Sequence, residues 1–94
     1  MIWPIRWSAE SEADMERIAD SLEVKSKNVA KKTVISLIAS TEKLQQHPRL
    51  GEQLLEFSET EIRRFIAGQY EIRYQADLSE LLILRIWHSR EQRL

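Results

Sequence analysis

The residues best suited to chemistry crowd the last third of the chain. Residues 62–94 carry six arginines, Arg63, Arg64, Arg73, Arg85, Arg90 and Arg93, with no lysine and four acids, a net of +2. Residues 1–61 carry eight Lys or Arg and eleven Asp or Glu, a net of −3. A guanidinium is a planar fork of donors that meets phosphate or carboxylate with two hydrogen bonds at once. His88 sits among these arginines, and imidazole moves a proton near neutral pH. Arg73, Arg85, His88 and Arg90 could therefore clamp a phosphate and shuttle a proton. Two plainer readings stand beside this one. A histidine closing an apolar strand can be a hydrogen-bonded structural group, and arginines on a sheet can simply solubilise its open face.

Other chemistries lack their residues. With no Cys there is no disulfide, thiolate metal site or Cys nucleophile. His47 and His88 are too few for a zinc site unless carboxylates help, so no metal is expected. Gly-rich phosphate loops, GxSxG and HExxH are all missing, and no cofactor is expected. A net charge of −1 argues against a chain that wraps nucleic acid electrostatically. The longest apolar run, Leu81 to Leu84, is far short of the roughly 20 residues of a membrane span. The first residues turn acidic where a signal peptide is basic, so a cytoplasmic chain without membrane contact is expected.

The elements that must position these residues can be read from periodicity. Residues 2–7 form a short strand; Pro4 has no N–H for a ladder, so the strand lies at an edge or turns that position outward. Ser8 caps a first helix over about 9–23, with Met15, Ile18, Ala19 and Leu22 as its apolar stripe and acids in its first turns. A second helix starts near Ser26 or Asn28 and ends at His47, stopped by Pro48, with the stripe Val34, Leu37, Ile38, Thr41 and Leu44. Lys25, Lys27, Lys31 and Lys32 crowd its start, the wrong end of the helix dipole for cations. The acidic first helix lying alongside is the expected compensation.

Ile62–Ile66 reads as a strand, Gly68-Gln69 as a turn, and 70–76 as a half-buried strand of period two. Asp77–Glu80 is a hairpin turn, and Leu81–His88, apolar on both faces, should be the most buried strand. Strict alternation would put Leu82, Leu84, Ile86 and His88 on one side and Leu81, Ile83, Arg85 and Trp87 on the other. Arg73, Arg85 and one of Arg63 and Arg64 would then meet on the open face, with Arg90 and Arg93 near one end. Residues 1–94 thus form one β-α-α-β-β-β domain of the α+β class, with 90–94 as a basic tail.

In this order the pieces resemble the RelE/ParE superfamily of small toxins from prokaryotic toxin–antitoxin pairs, over nearly the whole length. The matching stretches are Trp7-Ser8 with Ala13–Ile18, then Leu44–Gly51, Arg64, Tyr70–Tyr74 and Ile83–Arg90. The resemblance implies two antiparallel helices packed on a curved, mainly antiparallel four-stranded sheet. It also implies a cognate antitoxin that wraps the toxin in a hetero-oligomer. RelE-like members cut mRNA on the ribosome, and ParE-like members poison DNA gyrase. Where RelE-like nucleases carry an arginine after the first aromatic of the Tyr-x-φ-x-Tyr strand, this chain has Glu71, and its tail has no tyrosine.

These departures favour a ParE-like inhibitor, with DNA gyrase as target and no catalysis. Target contact is expected at Arg64, Arg73, Arg85, His88, Arg90 and Arg93, and antitoxin contact near Trp3 and Trp87. The alternative is a ribosome-dependent mRNA endonuclease using His88, Arg73, Arg85 and Arg90. A further alternative is a non-toxic corepressor that only binds its antitoxin.

Overall fold

The computed structural model describes residues 1–91. The elements are β1 (Ile5–Trp7), α1 (Ala9–Glu23), α2 (Lys27–Gln46), β2 (Glu52–Gln53), β3 (Ile62–Ala67), β4 (Tyr70–Asp77) and β5 (Glu80–His88). They form a five-stranded sheet in the order β1-β5-β4-β3-β2. β1 runs parallel to β5 and the other pairs are antiparallel. The expected α+β class holds, with one strand more than expected. That strand is β2, whose two residues pair with Arg63 and Arg64. A pair of residues is too short to show an alternation.

β1 lies at an edge, as Pro4 allows, but it is shorter than residues 2–7. The Pro4 carbonyl accepts from Leu81 N–H at 2.9 Å, while Trp3 N–H turns away to the Gln45 carbonyl at 3.0 Å. Both helices begin where their caps put them. The Ser8 hydroxyl accepts from Ser11 N–H at 3.0 Å, and the Ser26 hydroxyl from Val29 N–H at 3.2 Å. His47 closes α2, its N–H donating to the Lys43 carbonyl, and Pro48 follows.

The core lies between hairpin and sheet. Ile18 of α1 and Leu37 and Leu44 of α2 pack against Ile72, Tyr74, Ala76, Leu81, Ile83 and Ile86. Each such aliphatic side chain contributes about 1.5–3 kcal/mol by leaving water. Ile38, expected in the α2 stripe, is instead 44% exposed.

Two expectations for β5 need correction. Leu81, Ile83 and Ile86 all face the core, which strict alternation forbids. A bulge explains it: Arg73 pairs with Arg85 while Tyr74 pairs with Ile83, so Leu84 is an extra residue on β5. Nor is β5 the most buried strand. β4 holds that place, because it has full-length neighbours on both sides, whereas β1 covers β5 only over Leu81–Ile83.

The loop after α2 is held from beneath. Tyr74, 0% exposed, donates its hydroxyl hydrogen to the Pro48 carbonyl at 2.8 Å and accepts from Gly51 N–H at 2.9 Å. A Cβ on Gly51 would lie 2.7 Å from both the Tyr74 hydroxyl and the Arg64 carbonyl. Arg63 ties the same loop by donating to the Gly51 carbonyl at 2.7 Å. Among the described residues no helix is long and apolar enough to cross a membrane.

Candidate functional site

The arginine row exists. Strand register sets Arg64 opposite Arg73 and Arg73 opposite Arg85, across β3, β4 and β5 on the face away from the helices. Each of the three guanidinium groups has a carboxylate partner. Arg64 Nε lies 2.7 Å from Glu52, Arg73 Nη2 3.0 Å from Glu71, and Arg85 Nε 2.7 Å from Asp14. Arg63 faces the other way and serves the loop, paired with Glu61 at 2.7 Å. Trp87 sits between two members of the row. The Arg73 guanidinium carbon is 4.8 Å from its ring centroid and that of Arg85 5.1 Å. Stacking of this kind desolvates a cation without neutralising it, and the carboxylates complete the neutralisation. Glu71 is only 3% exposed, so its charge is buried beneath the row it balances.

Asp14 does more than pair with Arg85. Beyond Ile83, β5 has no strand on its β1 side, and α1 side chains take up that bare edge. The Ser8 hydroxyl donates to the Leu84 carbonyl at 2.9 Å, and Ile86 N–H donates to Asp14 Oδ2 at 2.9 Å. Arg17 donates to the Ile86 carbonyl at 3.3 Å and to Asp14 at 3.1 Å. Glu91 accepts from His88 N–H at 2.7 Å and pairs with Arg17. Burial alone would raise the Asp14 carboxyl pKa. Hydrogen bonds from Arg85, Ile86 N–H and Arg17 outweigh it and hold the value below the ordinary one.

His88 does not join the arginine row. It shares the helix-side face with Tyr70, its register partner, and the rings meet edge to face at 5.1 Å and 88°. Nδ1 accepts from Arg90 N–H at 3.0 Å, and Nε2 lies 3.0 Å from Gln69 Oε1. Those partners select the tautomer with hydrogen on Nε2 and occupy both nitrogens. The structure thus gathers Arg64, Arg73 and Arg85 on one face and His88 with Arg90 at the end of β5 on the other. Arg93 lies outside the described residues.

The two tryptophans do not share a surface. Trp3 packs on the helix side, hydrogen-bonded through its backbone to Gln45 and lying under Arg49 at 5.5 Å. Trp87 belongs to the opposite face, between its two arginines. The larger apolar opening is a groove of about 580 Å³ between β1, α1 and α2, lined by Ile5, Trp7, Met15, Ile38 and Thr41, with Gln45 at the Trp3 end. The exposed Ile38 finds its place here. Sequence reasoning missed this groove, because helical spacing placed Ile38 within the packed stripe. It also missed Asp14 and Glu71 as the acids of the row. Asp14 comes from an element 71 residues away, so no spacing rule marks it; Glu71 stands two residues from Arg73 on the same face of β4, where period-two alternation was a usable signal.

The family model described as the ParE toxin of type II toxin–antitoxin system, parDE, matches residues 5–93. A chain from a solved structure titled as a chromosomal ParDE TA system from P. aeruginosa superposes with a TM-score of 0.77 at 21% sequence identity. The match covers 93% of this chain and 96% of that one. No curated protein gives a significant sequence match.

Proposed function

The chain belongs to the ParE toxin family of type II toxin–antitoxin systems, and from that premise we propose that it acts by binding DNA gyrase, without catalysis of its own, until an antitoxin neutralises it. The observation that carries this reading is the neutralised arginine row. A nuclease of the alternative type needs free guanidinium groups to hold phosphate charge and an imidazole beside them to move a proton. Here Arg64, Arg73 and Arg85 are each matched by an acid. His88 lies on the opposite face of the sheet with both ring nitrogens engaged. The set His88, Arg73, Arg85 and Arg90 therefore cannot converge on one phosphate without rearrangement.

The antitoxin segment is assigned to the groove between β1, α1 and α2. Its Ile5, Trp7, Met15 and Ile38 offer the contiguous apolar area that marks a partner surface. Trp3, which was expected to contact the antitoxin, borders this groove through Gln45, and Trp87 does not.

Expression without antitoxin tests the reading directly. Gyrase poisoning predicts filamentation, DNA breaks and an SOS response while translation continues, and the purified protein should block supercoiling by gyrase. Toxicity should survive His88→Ala. Translation that stops within minutes, with mRNA cut at codon positions and the effect lost in His88→Ala, would overturn it in favour of the nuclease. Unchanged growth would leave the corepressor.

A further inference from the structure

We propose that the end of the molecule where the helical hairpin turns is the docking surface for an acidic, apolar segment of the target protein. The proposal rests on the reading that the toxin acts by binding a protein target. It assigns that contact to residues outside the arginine row.

Unpaired cations carry the argument. Arg6, Arg17, Arg49, Arg63, Arg64, Arg73 and Arg85 all have carboxylate partners. Among the described residues Lys25, Lys27, Lys31, Lys32, Lys43 and Arg90 have none; Lys43, toward the far end of α2, lies instead over the Phe65 ring at 5.9 Å. The compensation expected from the acidic face of α1 is therefore missing as ion pairs. The first turn of α2 holds no acid either. A cation in the first turn of a helix, such as Lys27, opposes its dipole. Lys25 also follows the C-terminus of α1, which suits a cation, but no ion pair holds Lys27, Lys31 or Lys32, and departures from local rules of this kind concentrate where a surface has another task.

Three of these cations, Lys25, Lys32 and Arg90, rim a cleft, where the paired Arg17 and Glu91 also stand. One part, about 420 Å³, opens between α2 and the β3–β4 turn, with Val29, Leu37 and Ala67 in its wall and Lys32 at its edge. A second part, about 480 Å³, opens between the end of α1 and the end of β5, edged by Lys25 and Arg90. Leu22, Tyr70 and His88 line both, so the two are continuous. An apolar floor under a cationic rim suits a segment in which Asp or Glu alternate with aliphatic side chains. Nucleic acid fits less well. The rim is mainly lysine, where bidentate phosphate recognition favours arginine. Tyr70 and His88 pack edge to face on each other rather than offering stacking platforms. The antitoxin groove, lined by Thr41 and Gln45 toward the far end of α2, leaves this cleft free.

The test compares the full-length protein with the triple variant Lys25→Gln/Lys32→Gln/Arg90→Gln, using Lys43→Gln near the opposite end of α2 as control. Gyrase inhibition, growth arrest, antitoxin affinity and thermal stability are measured for each. The expected result is at least a tenfold loss of gyrase inhibition and of growth arrest in the triple variant only. Antitoxin affinity should stay within twofold, and melting temperature should stay within a few degrees. Full inhibition by the triple variant overturns the proposal and spares the gyrase reading. Wild type that arrests growth yet does not inhibit gyrase overturns that reading alone, and the growth-arrest ratio then decides the cleft. Wild type that arrests no growth overturns both. Antitoxin affinity lost tenfold would give the cleft to the antitoxin. Tight binding of a labelled 30-nucleotide single strand, abolished in the triple variant, would give it to nucleic acid. Either result ends the proposal.

Discussion

Tyr74 is the residue on which the loop after α2 depends. Its ring is fully buried, and its hydroxyl satisfies both the Pro48 carbonyl and the Gly51 N–H. Tyr74→Phe keeps the ring but leaves both backbone groups buried without a partner, which should cost about 1–3 kcal/mol in chemical denaturation. Gly51→Ala should cost at least as much, since the new methyl meets backbone and ring at 2.7–2.9 Å. Asp14 is the second such residue, and its effect depends on pH. Its folded pKa is depressed, so the unfolded state binds more protons and stability rises with pH across that window. The contribution is complete above the unfolded value, about pH 4, and is lost as pH falls through the depressed one. Asp14→Asn should lower stability by about 2 kcal/mol at pH 7. It should also flatten the decline in acid, read from urea midpoints between pH 3 and 7. A wild-type and variant difference that does not shrink in acid would contradict this account.

At the scale of elements, the β4–β5 turn is the weakest local choice in the chain. Leu78 and Ser79 take φ of 50° and 59°, between Asp77 and Glu80, which pair across the hairpin. Positive φ at both central positions defines the type I′ turn, which favours Asn-Gly, and Leu78 is 91% exposed with nothing to gain from its side chain. Leu78→Asn/Ser79→Gly should therefore raise stability by about 1 kcal/mol, roughly 4–8 °C in melting temperature for a domain of this size. α1 makes the opposite case. Its Ser8, Asp14 and Arg17 look like helix-cap and surface residues in sequence. They serve instead as the hydrogen-bonding edge that β1 is too short to provide, and they keep β5 from presenting bare backbone to another chain.

For the molecule as a whole, charge and apolar surface are sorted to different places. Ion pairs neutralise the arginine row, unpaired lysines mark the hairpin corner, and the apolar groove lies beside β1. Under the proposed function an antitoxin segment in that groove binds the folded state alone. It should then raise unfolding free energy by about 4 kcal/mol at a thousandfold excess over its Kd. Ile38→Glu, which places a charge among Ile5, Trp7 and Met15, should abolish that thermal shift while leaving the free protein's melting temperature within a few degrees, because Ile38 is already half in water. A shift of wild-type size in Ile38→Glu would move the antitoxin elsewhere.

Periodicity and caps made much of this legible in advance. The limits of α1, the Ser26 start of α2, the Pro4 edge and the placing of Arg73 with Arg85 on one sheet face depend on interactions within a few residues or on simple alternation. The bulge at Leu84, the two-residue β2 and the groove holding Ile38 do not, since each arises from how distant segments meet. The same division governs function. The amino-acid sequence alone established that guanidinium groups concentrate in the last third and that no cysteine is present for thiolate chemistry. Tertiary structure alone decided that Arg64 and Arg85 are matched by acids from β2 and α1 and that both ring nitrogens of His88 are engaged; alternation had already set His88 opposite Arg85. A charge is local to its residue, whereas its neutralisation depends on partners as far as 71 positions away.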